Sequence, residues 1–304
     1  MKWVVLFVFC FSPLTWGKEY KKNIVDRAHR NFSNRILRFS NEVDAFFADD
    51  QHDDLVNKSR LQVSLNTRFR EAAGPVVIPD IDFRLVLPRT EKRFRLFIEN
   101  ENEDTDSETS ETRIDRQNNN ARSESSAAGI RYMINQTGIK FYTDTGIIVN
   151  VPPEAFARFT ASRDITFKYW ILKFKEQVRY VVDDGIRSTT DLNFDKRLTH
   201  KLMLRMMNQA VWTDEDYIIT FENGPSLFQT ISDRIGLSYH AHVISVNSPN
   251  FIVTNYILQA TYRQELYGRW LFMNLTPFTN FPRENNFGRV PGFLVRFDAI
   301  FGHI

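Results

Sequence analysis

Residues 290–301 read VPGFLVRFDAIF, and this stretch decides the fold because its side chains change character at every second position. The apolar positions are Phe293, Val295, Phe297, Ala299 and Phe301. The positions between them include Gly292, Arg296 and Asp298. Successive side chains of a β-strand point to opposite faces of a sheet. The stretch therefore predicts a strand with one apolar face and one polar face.

Segments with the same two-residue period recur along the chain from residue 57 onward. The later ones lie at 188–194, 201–212, 217–229, 234–245, 251–263, 268–276 and 290–301. We count about fourteen strands in all, or twelve if the weak segments near 139–162 merge or lie outside the membrane. The pattern predicts an all-β fold, an antiparallel transmembrane β-barrel over residues 57–304. A soluble antiparallel sandwich is the alternative, but it would not need so many aromatic residues near its strand ends.

The predicted connections give this barrel a direction. In bacterial outer-membrane barrels both chain ends face the periplasm, periplasmic turns are short and extracellular loops are long. Short connections are predicted at 89–92, 135–138, 162–164, 195–200, 232–233 and 263–268. Long connections are predicted on the other side at 71–78, 100–125 and 277–288. The segment 100–125 is almost entirely polar and charged, and it predicts an acidic extracellular loop.

Aromatic residues group near both predicted rims. One group is Tyr262, Tyr267, Trp270 and Phe301 at the periplasmic rim. The other group is Trp212, Tyr217, Phe251, Phe278 and Phe281 at the outer rim. Such girdles anchor a barrel at the level of the lipid headgroups.

The N-terminal residues 1–17 combine one lysine, a short apolar core and small residues at their end, which is typical of a cleaved signal peptide. The apolar run is too short to span a bilayer of about 30 Å as a helix. The single cysteine, Cys10, lies inside this leader, so the exported chain would form no disulfide. The net charge of +2 argues against general nucleic-acid binding.

Residues 18–56 predict a periplasmic amphipathic helix. Its apolar stripe includes Phe32, Ile36, Phe39, Val43 and Phe46. One interpretation is a plug or gate that enters the barrel mouth. The other is a helix that docks a periplasmic partner or lies on the membrane surface. The sequence does not decide between them.

From leader to last strand, the chain resembles bacterial outer-membrane β-barrel proteins. Gly292, Val295, Phe297 and Phe301 look like the C-terminal signal that the barrel-assembly machinery reads, although Val290 replaces a polar residue and three residues follow Phe301. The segment 262–302 is similar to an uncharacterised group of proteobacterial proteins. The resemblance implies a location in the outer membrane of a Gram-negative bacterium, with outer-membrane lipid and the assembly machinery as partners.

Charged side chains dominate the predicted inner face. The basic ones that carry the interpretation are Arg60, Arg68, Arg84, Arg93, Arg95, Lys173, Lys175, Arg179, Arg205 and Arg296. The predicted inner acids are Asp80, Asp82, Asp144, Asp183, Asp191, Asp195 and Asp298. In an open lumen the basic residues would favour anions; in a closed one they would pair with the acids as a polar core. Strict alternation places Glu176 toward lipid, so a bulge or an interface position is expected there.

Enzymatic residues are harder to find. His240 and His242 share one face of a strand and could hold a metal if a neighbouring strand supplied a third ligand. The histidines, Ser245 and Asn247 do not have the order or spacing of an outer-membrane phospholipase motif. A nucleophilic serine needs a base within hydrogen-bond reach, and the sequence fixes none. We therefore assign no catalytic residue and no cofactor.

Three functions stay open on the sequence. The first is a porin-like channel for small, anionic solutes with the N-terminal helix as plug or gate. The second is a non-conducting structural or assembly-related barrel that docks a periplasmic partner. The third, least favoured, is a barrel enzyme that acts on lipid.

Overall fold

The computed structural model describes residue 46 and residues 59–70, 73–86, 94–101, 125–136, 138–149, 151–182, 184–214, 217–268 and 270–302. Within these ranges fourteen antiparallel strands form one closed barrel in which each strand pairs with its neighbours in sequence and β1 pairs with β14. This confirms the predicted fold and the larger of the two strand counts. The strands are β1 Arg60–Arg70, β2 Ala73–Val86, β3 Phe94–Glu101, β4 Ser125–Gln136, β5 Ile139–Ile148, β6 Glu154–Thr166, β7 Ile171–Val181, β8 Gly185–Arg197, β9 Leu202–Thr213, β10 Ile219–Ser232, β11 Ile235–Val246, β12 Ile252–Tyr267, β13 Leu271–Pro282 and β14 Val290–Gly302.

Closure of the barrel brings its first and last strands together in a continuous register. Arg60 lies opposite Gly302 and Arg70 opposite Gly292. The beginning of β1 and the end of β14 therefore lie at the same end of the barrel, which we call the terminal end. The other end is the far end.

The side chains alternate between the two faces of the wall as the sequence predicted. On β1, Leu61, Val63 and Leu65 are exposed on the outside. Gln62 and Ser64, between them, are buried on the inside. The exposed apolar residues recur on strands around the barrel. Soluble proteins rarely expose so large a continuous apolar surface to water. The outer face is that of a transmembrane barrel.

Aromatic rings lie in contact at both ends of the barrel. At the terminal end Trp270 stacks on Phe301, with ring centroids 5.6 Å apart, and Tyr267 meets Trp270 edge to face. At the far end Phe221 contacts Phe251. Phe278 departs from the predicted outer girdle: it is 6% exposed and packs with Ile257 and Leu294, both buried. Because β13 continues through Pro282, its alternation between two faces extends past Phe278 and places this residue on the inner face, opposite Gln259 and Gly292.

Several predicted connections are displaced. Residues 73–78 belong to β2 rather than to a long loop, and β13 continues through Pro282, so the connection that follows is 283–289. The turn predicted at 162–164 lies inside β6, and the chain reverses at 167–170. Polar residues within a strand caused this last error, since Ser162 and Asp164 belong to the inner face.

Glu176 faces outward with neither of the two expected features: there is no bulge, and it lies in the middle of β7 rather than near a strand end. The β7–β8 register is unbroken around it, with Lys175 opposite Asp191 and Gln177 opposite Thr189. Two hydroxyls of β8 donate hydrogen bonds to its carboxylate, Ser188 at 2.7 Å and Thr190 at 2.6 Å. These donors replace part of the hydration that the carboxylate loses in an apolar surround.

The predicted signal peptide, the middle of the acidic loop (102–124) and the N-terminal helix other than Phe46 lie outside the described residues. Phe46 itself is helical. No helix among the described residues is both long enough and apolar enough to cross a membrane.

Candidate functional sites in the barrel interior

The predicted basic residues that the structure describes lie on the inner wall. Each shares a strand face with buried residues or lies opposite an inner-face residue of the neighbouring strand. They are Arg60, Arg68, Arg84, Arg95, Lys173, Lys175, Arg179, Arg205 and Arg296. Arg93 lies outside the described residues. Large parts of this wall are shielded from solvent: Arg205 is 1% exposed and Asp195 is 0% exposed.

Asp195 is bound by two cations of neighbouring strands. Arg205 on β9 forms a bidentate pair with it, Nε to Oδ1 at 2.7 Å and Nη2 to Oδ2 at 2.8 Å. Lys173 on β7 approaches with its Nζ 3.7 Å from Oδ2. Planar, bidentate pairing of this kind is strong and orients both groups.

A second charged cluster runs along β3 to β6. Arg131 donates two hydrogen bonds to Asp144, at 2.7 and 2.8 Å. Arg158 bridges Asp144 and Glu99, with Nη2 at 2.7 Å from Asp144 Oδ2 and at 2.6 Å from Glu99 Oε1. Arg84 also binds Glu99.

Sequence analysis missed two members of this cluster. Glu99 directly precedes the predicted acidic loop (100–125) and was not assigned to the inner face, whereas β3 extends to Glu101. Arg158 alternates with Ala157 and Phe159, so its inward position could have been found from the pattern.

A third cluster centres on Asp298 and joins the last strands to the first. Its Oδ1 accepts hydrogen bonds from Ser64 at 2.8 Å, Gln62 at 3.2 Å and Arg296 at 2.5 Å. Its Oδ2 accepts from Asn274 at 2.7 Å and Arg263 at 3.2 Å. Because the donors come from β1, β12, β13 and β14, this one carboxylate links both sides of the closure seam.

Phe46 lies against this part of the inner wall. Its ring meets that of Phe272 edge to face, with centroids 6.4 Å apart. Phe272 lies opposite Asp298 on the inner face and carries the Arg263 guanidinium 4.2 Å from its ring centroid. Phe46 therefore contacts the inner face of the wall near the terminal end. Phe32, Ile36, Phe39 and Val43 lie outside the described residues.

Strands β10 and β11 hold a chain of polar side chains. Glu222 Oε1 is 2.6 Å from His242 Nδ1, and His242 Nε2 is 3.1 Å from Ser226 Oγ. Ser226 Oγ is in turn 2.8 Å from His240 Nδ1, and His240 Nε2 is 3.0 Å from Ser238 Oγ. The five side chains share the inner face.

Gly224 makes this chain possible. It lies between Glu222 and Ser226 on the inner face of β10 and next to His242 of β11. Its missing side chain lets the backbones of β10 and β11 approach each other closely beside His242. A Cβ at this position would meet the backbone of Ala241 and His242.

The two histidines do not form the predicted metal site with a third ligand. In the described parts of the chain, no three His, Cys, Asp or Glu side chains are grouped so that they could hold a metal. The serine near the histidines in sequence is Ser245 of β11, whereas the side chains that contact them include Ser226 and Glu222 of β10. Strand pairing, which one sequence does not reveal, creates this group.

No protein-family model matches the sequence, and no curated protein sequence matches it. Among solved structures, the chain is similar to a loop-deletion mutant of OmpT, an outer membrane protein of Vibrio cholerae (7% identity, 80% of this chain, 98% of that chain, TM-score 0.49). It is similar to the outer membrane channel DcaP of Acinetobacter baumannii (6%, 81%, 96%, 0.45). It is also similar to the KdgM porin (6%, 79%, 99%, 0.38).

Proposed function

We propose that this protein is an outer-membrane channel for small anionic solutes and that the N-terminal helix closes it. The observation that carries the proposal is the contact between Phe46 and Phe272, because Phe272 belongs to the inner face of the barrel mouth. A helix that docked only on a periplasmic partner would not need an aromatic residue inside the barrel.

The membrane location rests on the two faces of the wall. The outside is apolar and has aromatic contacts at both ends, while the inside is polar and charged. This is the distribution that outer-membrane barrels have. The terminal end then faces the periplasm of a Gram-negative bacterium. Such a location requires export through a cleaved signal peptide and insertion by the barrel-assembly machinery.

The charge pairs support a lumen that can open. Arg131 binds Asp144 on the adjacent strand, and Arg205 binds Asp195 on the adjacent strand. Side chains paired in this way lie along the wall and do not need a partner across the lumen. A barrel of fourteen strands has a lumen between those of the small filled barrels and the wide porins.

The same clusters support a preference for anions. Asp144 is bound by Arg131 and Arg158, Asp195 by Arg205 and Lys173, and Asp298 by Arg263 and Arg296. The clusters at Asp195 and Asp298 thus hold two cations against one carboxylate. The Asp144 cluster, with Arg84 and Glu99 included, holds three cations against two carboxylates, so each cluster has a positive excess. Positive rings favour anions in a pore.

A non-conducting barrel is the second candidate, and the burial of the inner wall favours it. Gln62, Asn66 and Arg68 on β1 are all below 10% exposed. A lumen packed in this way in every state would leave no path for a solute. The barrel would then serve a structural or assembly-related role.

The experiment is single-channel recording of the full chain in a planar bilayer, comparing Phe46→Ala with the unchanged protein. Loss of the aromatic contact weakens docking by about 0.5–1.5 kcal/mol, so we expect the open fraction to rise about two- to twelvefold. In a salt gradient the reversal potential should report anion preference.

Phe194→Ala is the matched control, because Phe194 faces outward on β8. It should leave gating unchanged. Absence of conductance in the unchanged protein, in Phe46→Ala and in a chain without residues 18–55 would eliminate the channel and favour the second candidate.

A further inference from the structure

We propose that Ser226, His242 and Glu222 form a nucleophile, base and acid that hydrolyse small carboxylic esters inside the barrel. This inference does not depend on conduction, since it rests on side chains of β10 and β11 alone. It assigns a role to the polar chain that ion selectivity does not need.

The contacts have the order of a serine hydrolase triad. A carboxylate binds one ring nitrogen of a histidine, and the other ring nitrogen faces a serine hydroxyl. Here Glu222 Oε1 binds His242 Nδ1 at 2.6 Å, and Nε2 lies 3.1 Å from Ser226 Oγ. Both distances are within the hydrogen-bond reach that proton transfer requires.

The donor directions are assigned here with His242 neutral and Glu222 ionised. An ionised carboxylate can only accept, so His242 Nδ1 carries the hydrogen and donates it to Glu222. His242 Nε2 is then an acceptor, and the hydroxyl of Ser226 donates to it. These protonation states are assigned from the network, in which every contact has one donor and one acceptor.

His240 completes the arrangement at the other side of the nucleophile. Its Nδ1 lies 2.8 Å from Ser226 Oγ and its Nε2 lies 3.0 Å from Ser238 Oγ. In the same assignment of protons, Nδ1–H donates to Ser226 and Nε2 accepts from the Ser238 hydroxyl. A hydrogen bond to Ser226 Oγ from this side leaves the serine proton directed at His242. His240 is therefore a positioning residue.

The surroundings strengthen these contacts. Glu222 is 1% exposed, Ser226 is 2% exposed and His242 is 4% exposed. Electrostatic interactions in such a site exceed those in water. After proton transfer, the imidazolium of His242 faces the Glu222 carboxylate, which stabilises it.

Arg205 supplies positive charge near the nucleophile. It lies directly opposite Ser226 on β9, and its guanidinium lies 5.5 Å from the ring centroid of Phe228. A cation on this strand favours, through its charge rather than by direct contact, the negative charge that develops on the carbonyl oxygen during acyl transfer. Arg205 is also held by Asp195, which fixes its orientation.

The reaction follows from these roles. Ser226 Oγ attacks the ester carbonyl carbon while its proton passes to His242 Nε2. The tetrahedral intermediate collapses, the C–O bond to the alcohol breaks, and His242 returns the proton to the departing oxygen. Water then attacks the acyl-serine with the same base, which releases the carboxylic acid and restores Ser226.

The burial of the site restricts the substrate. An ester must reach Ser226 from the lumen between the side chains of Arg205 and His240, which lie on the two flanking strands. Because the nucleophile is 2% exposed, esters with short acyl groups are the substrates to test first. The neighbouring Arg205 further favours neutral or anionic esters over cationic ones.

The test uses the purified full chain with two small reagents, p-nitrophenyl acetate and diisopropyl fluorophosphate. We expect ester hydrolysis above that of heat-unfolded protein and one phosphoryl adduct, located at Ser226 by peptide mass spectrometry. Ser226→Ala should abolish both. Glu222→Gln should lower kcat by about 10³- to 10⁴-fold while the side chain keeps its size.

Ser162→Ala is the matched control, since Ser162 is a buried inner-face serine on β6, away from β10. It should keep the hydrolysis rate and the adduct. Electrophoretic mobility before and after heating shows whether each variant has formed a barrel. No adduct and no hydrolysis by the folded, unchanged protein would overturn the proposal. An unchanged rate in folded Glu222→Gln would overturn the triad.

Discussion

Asp298 and Glu222 are both buried carboxylates on the inner wall, yet their partners differ in kind. Asp298 is bound by two guanidinium groups, those of Arg263 and Arg296, and by neutral donors. Glu222 is bound by the imidazole of His242, which connects it to a serine hydroxyl. A guanidinium keeps its proton at every physiological pH, whereas an imidazole gains and loses one.

The difference separates a structural cluster from a chemical one. The protons around Asp298 are fixed, so its bonds can only hold β1, β12, β13 and β14 in place. The proton between His242 and Ser226 can move, so the same type of buried acid can support a reaction. Burial and charge alone do not distinguish the two sites, and the identity of the partner does.

The largest expected effect on stability is that of Asp298→Asn, which removes the carboxylate that the two guanidinium groups bind. The change removes the negative charge and leaves Arg263 and Arg296 without it in a poorly solvated site. We expect the free energy of unfolding to fall by about 3–5 kcal/mol. Urea unfolding in lipid vesicles, followed by tryptophan fluorescence, measures the change.

Asp184→Asn controls for the substitution itself, because Asp184 is exposed in the turn between β7 and β8. Its effect should stay within about 0.5 kcal/mol. Equal unfolding energies for the two variants would show that Asp298 does not hold the seam.

The fold could be predicted because each strand residue of a membrane barrel faces either lipid or the interior, and the polarity of its side chain indicates which. Alternation along β1 or β14 reports the two faces directly, since lipid and lumen demand opposite side chains. The ends of the strands were harder to predict from the sequence. Polar inner residues such as Ser162 and Asp164 resemble a turn in sequence, and the apolar pair Val76 and Val77 did not prevent 71–78 from reading as a loop.

The sequence predicted which interior residues share a face of one strand, but it did not predict which residues of different strands are in contact. Asp298 and Arg296 lie on the same strand, and their shared face was evident. The contact of Arg158 with Glu99 crosses two intervening strands, and that of His242 with Ser226 depends on the register of β10 and β11. A single sequence carries no record of which residues lie opposite one another.

A smaller effect is expected from Gly292→Ala, which tests whether packing also holds the seam. A Cβ at residue 292 would meet the ring of Phe278 on the inner wall. Forced repacking of this kind costs about 1–3 kcal/mol, to be measured by the same unfolding assay. Gly74→Ala is the control, since a Cβ there meets nothing within 4 Å.

The same variant separates two roles of Gly292. If the glycine acts as part of the assembly signal with Val295, Phe297 and Phe301, the variant accumulates unfolded in cells but refolds normally in vitro. If packing against Phe278 is the cause, the defect appears in both, and Phe278→Leu relieves it.

The smallest effect sharpens the comparison with a third acid, Glu176, whose partners are two hydroxyls and whose face is the lipid side. Glu176→Gln removes a charge that is costly beside lipid. Its amide oxygen still accepts a hydrogen bond from one of the hydroxyls of Ser188 and Thr190, and its NH2 group can donate to the oxygen of the other. We expect unfolding in vesicles to become harder by about 1 kcal/mol or less. Glu284→Gln, at an exposed site in the 283–289 connection, should change nothing. A clear destabilisation by Glu176→Gln would mean that the charge itself has a partner on the outer face. Glu176 would then belong to a contact between proteins, rather than being a single charged residue that Ser188 and Thr190 stabilise in a lipid-facing wall.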